Sequence, residues 1–166
     1  MKPLCTDELR ELVDRHSAAL ELFARQWTEN NAADVVQLAF VKLATHPHPR
    51  EQIVCWLYKV VRNEAISAAR SAARRKRHET GRAELAKHWF VPNSDDRLDA
   101  VEAARALAEL PQEYREVIVA RLWGGLSFQD IAELLETSSS SAHRNYVAGL
   151  KAMRERLGIT WIKNNP

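Results

Sequence analysis

LSFQDIAELLETSSSSAHRNYVAGLKAMRERL, residues 126–157, decides how this chain is read. Ser127 followed three residues later by Asp130 makes a capping-box-like start, with a short acid where Glu or Gln is usual. Ile131, Leu134 and Leu135 then recur at helical spacing, which predicts a helix beginning near Ser127. The period breaks at Glu136, Thr137 and Ser138, reopens with Ala142, Tyr146, Val147, Leu150 and Met153, and meets a stop at Gly158. Two helices joined by a tight polar turn result. The second opens with Ser139, Ser140, Ser141, His143, Arg144 and Asn145, compact donors and acceptors suited to base edges if that helix lies in a major groove. An ordinary helical hairpin with a serine-rich cap would show the same pattern, so the rest of the chain has to decide.

With 166 residues, 46% of them hydrophobic, 28% charged and only five glycines, the chain has room for one large or two small helical domains. No apolar run approaches the roughly 20 residues that cross a bilayer, and MKPLCTDELRELVDRH turns acidic without a hydrophobic signal core. The expectation is a cytoplasmic protein with no membrane insertion. Cys5 and Cys55 stand alone, so neither a disulfide framework nor a zinc site is indicated, and Cys55 reads as a small buried apolar residue. His46 and His48 lack the third ligand of a catalytic zinc site, and Cys55 lacks a paired base. No enzyme, cofactor or metal is expected.

The net charge of +2 conceals a polarised chain. Arg62, Arg70, Arg74, Arg75, Lys76, Arg77, Arg82 and Lys87 face only Glu64, Glu79 and Glu84, whereas residues 89–125 set seven acids against Arg97, Arg105, Arg115 and Arg121. Thr6 is expected to cap a first helix running to about Trp27, and Asn31 a second, residues 32–44, that buries Val35, Val36, Ala39, Phe40 and Leu43. THPHP, residues 45–49, ends it, and a long third helix starts near Glu51. The apolar period fades at Glu79, and WFVPNSDDR at 89–97 reads as a linker. Leu98, Val101, Ala104 and Leu107 open a second unit, with Pro111 at a first helical position and Gly124-Gly125 as a stop. No strand alternation of useful length occurs. The predicted fold is all-α: two small helical domains joined by a flexible linker, the C-terminal one a helix-turn-helix domain.

The order of ADVVQLAFVKLA (33–44), CWLYKVVRNEAISAARSAARRKR (55–77) and ALAELPQEYREVIVARLWGGLSFQDIAELL (106–135) resembles the sigma-70 family of RNA polymerase specificity factors, in its small extracytoplasmic-function (ECF) form. The resemblance covers about residues 8–80 and 98–156, and it implies region 2 over 1–80, a linker over 81–97 and region 4 over 98–166. It implies a non-enzymatic initiation factor that binds core RNA polymerase and directs it to promoter DNA by reading minus-10 and minus-35 elements. It also implies an anti-sigma factor that covers the polymerase-binding faces of both domains.

Carried onto this sequence, the resemblance places Asp34, Gln37, Leu38, Val41 and Lys42 on the polymerase, where a carboxylate and an amide give directional hydrogen bonds amid apolar area. Leu38 stands where the family commonly has Glu. The third helix would melt the minus-10 element, with Asn63 beside a flipped-base pocket formed by the 45–49 loop, and Arg70, Arg74, Arg75 and Arg77 on phosphates. Trp56 and Tyr58 are candidates for base stacking, although core packing accounts better for Trp56. In the second domain Ser139, Ser140, Ser141, His143, Arg144 and Asn145 meet the minus-35 DNA, Arg144 suiting guanine and Asn145 adenine, with Ser138 and Ser140 on phosphates. Glu136 replaces a frequent family glycine, implying a strained or reshaped turn. The competing reading is a stand-alone helix-turn-helix regulator, which has no use for the Asp34–Gln37 helix or for a melting helix.

Overall fold

The computed structural model describes residues 4–46, 48–78 and 97–158, with the side chains of 78 and 97–101 left aside. Seven α-helices are present in the described residues: α1 Thr6–Ala24, α2 Ala32–Thr45, α3 Ile53–His78, α4 Arg97–Ala108, α5 Gln112–Leu122, α6 Phe128–Leu135 and α7 Ser139–Arg156. A 3-10 turn, Arg50–Gln52, leads into α3. The all-α expectation holds. The linker expected at 81–97 falls outside the described residues except for Arg97, as do Trp89 and Phe90.

The first unit is a three-helix cluster of α1, α2 and α3. α2 buries Val35, Val36, Ala39, Phe40 and Leu43, the stripe its periodicity predicts, against Leu20 and Phe23 of α1 and Leu57, Val61 and Ala65 of α3. The helix ends differ in detail from expectation. Cys5, not Thr6, is the N-cap of α1, and the Glu8 carboxylate accepts its N–H at 3.0 Å. That hydrogen bond, followed by Arg50, holds the Glu8 carboxyl below its ordinary value, and the Arg50 pair fastens the start of α1 to the 3-10 turn. α1 stops at Ala24 because the chain then tightens, Trp27 N–H donating to the Ala24 carbonyl at 3.0 Å and the Trp27 ring meeting Phe23 edge-on at 5.2 Å. Asn31 precedes α2 without a capping hydrogen bond from its side chain.

In the second unit α7 packs on α4, α5 and α6. Pro111 is the N-cap of α5, one position ahead of the expected site, and its carbonyl accepts from Tyr114 and Arg115. Ser127 caps α6 as its spacing predicts: Asp130 N–H donates to Ser127 Oγ at 3.1 Å and Ser127 N–H donates back to the Asp130 carboxylate at 3.0 Å. Gly149 lets α7 close on α5, since a Cβ there would lie 2.8 Å from Ile118 Cδ1 and 2.9 Å from Tyr114 Cβ. The two units also touch one another. α1 packs on α5 and α3 on α6, and one apolar cluster runs from Phe23, Leu57 and Tyr58 to Val119, Ala120 and Leu126.

Candidate nucleic-acid interface

On α2 the residues opposite the buried stripe form a small open patch. Asp34 and Gln37 are exposed, and so are the apolar Leu38 and Val41, at 41% and 59%. Lys42 differs from its neighbours. Its ammonium is paired with the Glu64 carboxylate of α3, so its charge ties two helices together at the edge of the patch. Asp34 also sits in the first turn of α2, where a carboxylate is favoured by the helix dipole.

α3 separates its two faces sharply. Ile53, Leu57, Tyr58, Val61 and Ala65 are buried, while Asn63, Arg70, Arg74, Arg75 and Arg77 are exposed. Asn63, Arg70, Arg74 and Arg77 fall on one stripe at helical spacing, and among the described residues no carboxylate pairs with any of the four exposed arginines. Arg74 makes only a hydrogen bond from Nη2 to Ser71 Oγ, 3.2 Å. Such a track offers guanidinium groups along about 10 Å of helix between Arg70 and Arg77, at about 1.5 Å per residue.

The aromatic residues sort differently from the expectation for bases. Tyr58 is fully buried, edge-on to Phe23 at 5.0 Å, and burial pushes its hydroxyl far above the usual range. It cannot reach a base; its place is in the core. Trp56 is partly buried against the core and meets the His48 ring at 3.9 Å between centroids. His48 is held below its ordinary value first by burial and then by His46. All of the 45–49 loop but Pro47 is described, and it lies against this Trp56 edge of the first unit. Cys55, expected to be buried, is half-buried; its thiol donates to the Asp130 carbonyl at 3.6 Å, and burial, then Asp130 and Glu133, raise its pKa. A protonated thiol so placed is a poor nucleophile.

The start of α7 is organised by its serines. Ser141 N–H donates to Ser138 Oγ at 3.1 Å, so Ser138 serves as N-cap, and Arg144 Nη2 donates to Ser141 Oγ at 3.0 Å. Ser140, His143 and Arg144 are exposed, Ser139, Ser141 and Asn145 half-buried. No acid lies in the first turn, which leaves the positive end of the helix for an anion. Phe128, which sequence reasoning did not single out, supports this face: His143 packs on it edge-on at 5.0 Å, Tyr146 at 5.5 Å, and the Arg121 guanidinium lies 4.8 Å from its ring centroid. No periodicity links Phe128 to α7; only the folded hairpin brings them together. Glu136 holds the turn in the left-handed conformation, φ 54 and ψ 46, that glycine would adopt without strain. The turn therefore keeps its shape and carries the strain.

Among the described residues no three His, Cys, Asp or Glu side chains form a metal-binding group, and no helix is long and apolar enough to cross a membrane. The chain matches a known family in both units. Sigma-70 region 2 matches residues 12–75, and Sigma-70, region 4 matches residues 100–153. The chain is 30% identical to the ECF RNA polymerase sigma factor SigL of Mycobacterium tuberculosis, covering 92% of each chain, and 27% identical to the RNA polymerase sigma factor CarQ of Myxococcus xanthus, covering 92% of this chain and 90% of that one. Its fold is similar to that of the sigma factor RpoE solved in complex with the anti-sigma factor NepR from Bartonella quintana, with a TM-score of 0.71, 22% identity, and coverage of 95% of this chain and 100% of that one. The chain belongs to the sigma-70 family, as an RNA polymerase sigma factor of the ECF type.

Proposed function

We propose that this factor joins core RNA polymerase through the exposed face of α2, opens the minus-10 element along α3, and reads the minus-35 element with the start of α7. In this reading residues 1–80 are region 2, 81–97 the linker and 98–166 region 4. It acts in the cytoplasm as a binding protein with no catalytic step of its own. The observation that carries the proposal is the exposed stripe of Asn63, Arg70, Arg74 and Arg77, without a carboxylate partner among the described residues, on a helix whose opposite face is buried, together with a second, independent anion-ready helix start at Ser138.

Asp34, Gln37, Leu38 and Val41 supply the polymerase contact: two directional polar groups flank apolar area that water would otherwise cover. Lys42 contributes by holding α2 against Glu64. Arg144 and Asn145 are the direct base readers and Ser139, Ser140, Ser141 and His143 position the helix, while Arg75 adds phosphate attraction beside the α3 stripe. An anti-sigma protein is the natural antagonist, covering the faces that polymerase needs; the structurally similar RpoE is itself held in complex with the anti-sigma factor NepR.

Run-off transcription with core polymerase on a panel of genomic promoters tests the reading. Initiation that requires the factor is expected; promoter binding without any stimulated initiation would instead identify a stand-alone helix-turn-helix regulator. In the same assay Asp34→Ala with Gln37→Ala should weaken core binding by about tenfold or more, each lost directional hydrogen bond being worth about 0.5–1.5 kcal/mol. Unchanged core affinity would remove α2 as the docking face.

A further inference from the structure

Glu64 stands against the charge of its own helix. Among the 26 residues of α3 it is the only acid, and it directly follows Asn63, where the exposed stripe begins that continues through Ser67, Arg70, Arg74 and Arg77. Neighbouring residues on a helix are separated by only about 1.5 Å along the axis. A strand held at Asn63 therefore has the Glu64 carboxylate well within the Debye length of about 10 Å at about 0.1 M salt. Left alone, that carboxylate repels phosphates at the head of the stripe.

The base that answers Glu64 comes from another element. Arg62, close by in sequence, is engaged elsewhere: its Nε donates at 2.9 Å to Glu116 of α5, a carboxyl that burial raises above its ordinary value. Arg70, the first arginine of the stripe, lies more than a full turn beyond Glu64. Lys42 of α2 reaches it instead, its Nζ donating to Glu64 Oε1. The pair leaves 40% of the lysine side chain and 30% of the glutamate side chain open to solvent. As a tether, an ion pair this open adds little to folding stability, because water solvates both charges well without it. Its larger effect is on the field beside Asn63, where Lys42 cancels a charge that no base of α3 takes up.

We propose that Lys42, although it belongs to α2, serves the promoter side: it neutralises Glu64 and so keeps the Asn63 end of the α3 stripe free of negative charge. The inference rests on the promoter-reading function proposed above. It gives Lys42 and Glu64 one joint role, a charge balance, separate from the polymerase contact of Asp34, Gln37, Leu38 and Val41. The effect of a substitution at either position then follows the charge it leaves behind and not the loss of the pair as such.

Binding of holoenzyme, formed at saturating core polymerase, to a promoter found in the run-off panel separates charge balance from tether and from polymerase contact. Lys42→Met leaves Glu64 bare and should weaken promoter binding about two- to fivefold at low salt, a loss that shrinks at high salt because screening shortens the reach of the charge. Glu64→Gln breaks the same ion pair but removes the negative charge, and should tighten binding by a similar factor. The two substitutions together should return the affinity to that of wild type, and Lys42→Arg alone should match it as well. A tether gives a different pattern: both single variants weaken binding, salt matters little and the double variant rescues nothing. That pattern would overturn the proposal. So would wild-type promoter affinity for Lys42→Met at saturating core combined with weakened core binding, which would put Lys42 on the polymerase. Should Lys42→Met lose helix content by circular dichroism, Glu64→Gln decides alone, and unchanged or weakened promoter binding refutes the inference. Wild-type holoenzyme that binds no promoter would sink the promoter reading itself, and this inference with it.

Discussion

At Glu136 an L-residue sits at φ 54 and ψ 46, closing α6 with its N–H on the Ala132 carbonyl. The left-handed region costs such a residue about 1–2 kcal/mol, and glycine is free of that cost but loses more backbone entropy on folding. The strain is the larger effect. Glu136→Gly should therefore stabilise the factor by about 0.5–1 kcal/mol in a urea titration, and a lowered midpoint would show that the Glu136 side chain does something in the turn that its backbone does not reveal. Gly149 is the opposite case. Alanine there gains about 1 kcal/mol in helix propensity, but its Cβ would press within 3 Å of Ile118 and Tyr114, and overpacking costs about 1–3 kcal/mol. Packing wins, so Gly149→Ala should melt at lower temperature than wild type, and an equal or higher melting temperature would mean that α5 and α7 yield freely.

Among the elements, α3 combines two tasks by face. One stripe carries core residues for three-helix packing, and the other carries guanidinium groups that pair with no acid among the described residues. If Arg70, Arg74 and Arg77 each displace a counterion, replacing all three by alanine should reduce the slope of log affinity against log salt for holoenzyme on promoter DNA by about 0.7–0.9 per contact. A slope equal to wild type would make the stripe merely solvated. α7 works by a different device, a capped helix start free of acids, with His143 steadied on Phe128. Phe128→Ala should accordingly weaken minus-35 binding by several-fold without touching DNA, through loss of an aromatic contact worth about 0.5–1.5 kcal/mol. A footprint of unchanged strength would leave Phe128 as core alone.

For the molecule as a whole, pH acts through half-buried histidines. Burial, with Arg15 adding to it, holds His16 below its ordinary value, and burial with His46 does the same for His48. The unfolded chain therefore takes up these protons first. Their contribution to stability is complete above the ordinary histidine pKa of about 6.5 and is lost as pH falls from there toward the folded values. Glu116, shifted upward, has the opposite sign: its contribution is present at low pH and lost as pH rises through its folded value. His16→Asn should flatten the fall in melting temperature between about pH 7 and pH 5.5, a window fixed by the histidine value; an unaltered profile would assign that fall elsewhere.

Periodicity, capping and charge order made most of the helices legible: the Val35–Leu43 stripe, the Ser127–Asp130 box and the Ser138 turn follow from local spacing, and local spacing is what hydrogen bonding within a helix reads. The exposed sides of α2 and α3 were legible for the same reason, being what remains once a buried stripe is assigned. Which of two aromatic neighbours faces the core was not. Trp56 stays at the edge against His48 while Tyr58 goes fully inside, a choice made by Phe23 and Gly124, distant in sequence. Lys42 likewise reads as a surface contact until Glu64 of another helix claims it. The sequence by itself determined an all-helical chain and the exposed faces of α2 and α3, because each depends on residues within a few turns of one another. Only the tertiary structure decided that Arg62 would find Glu116 and that the two units would meet, because burial and pairing between distant helices depend on shape complementarity that no local period encodes.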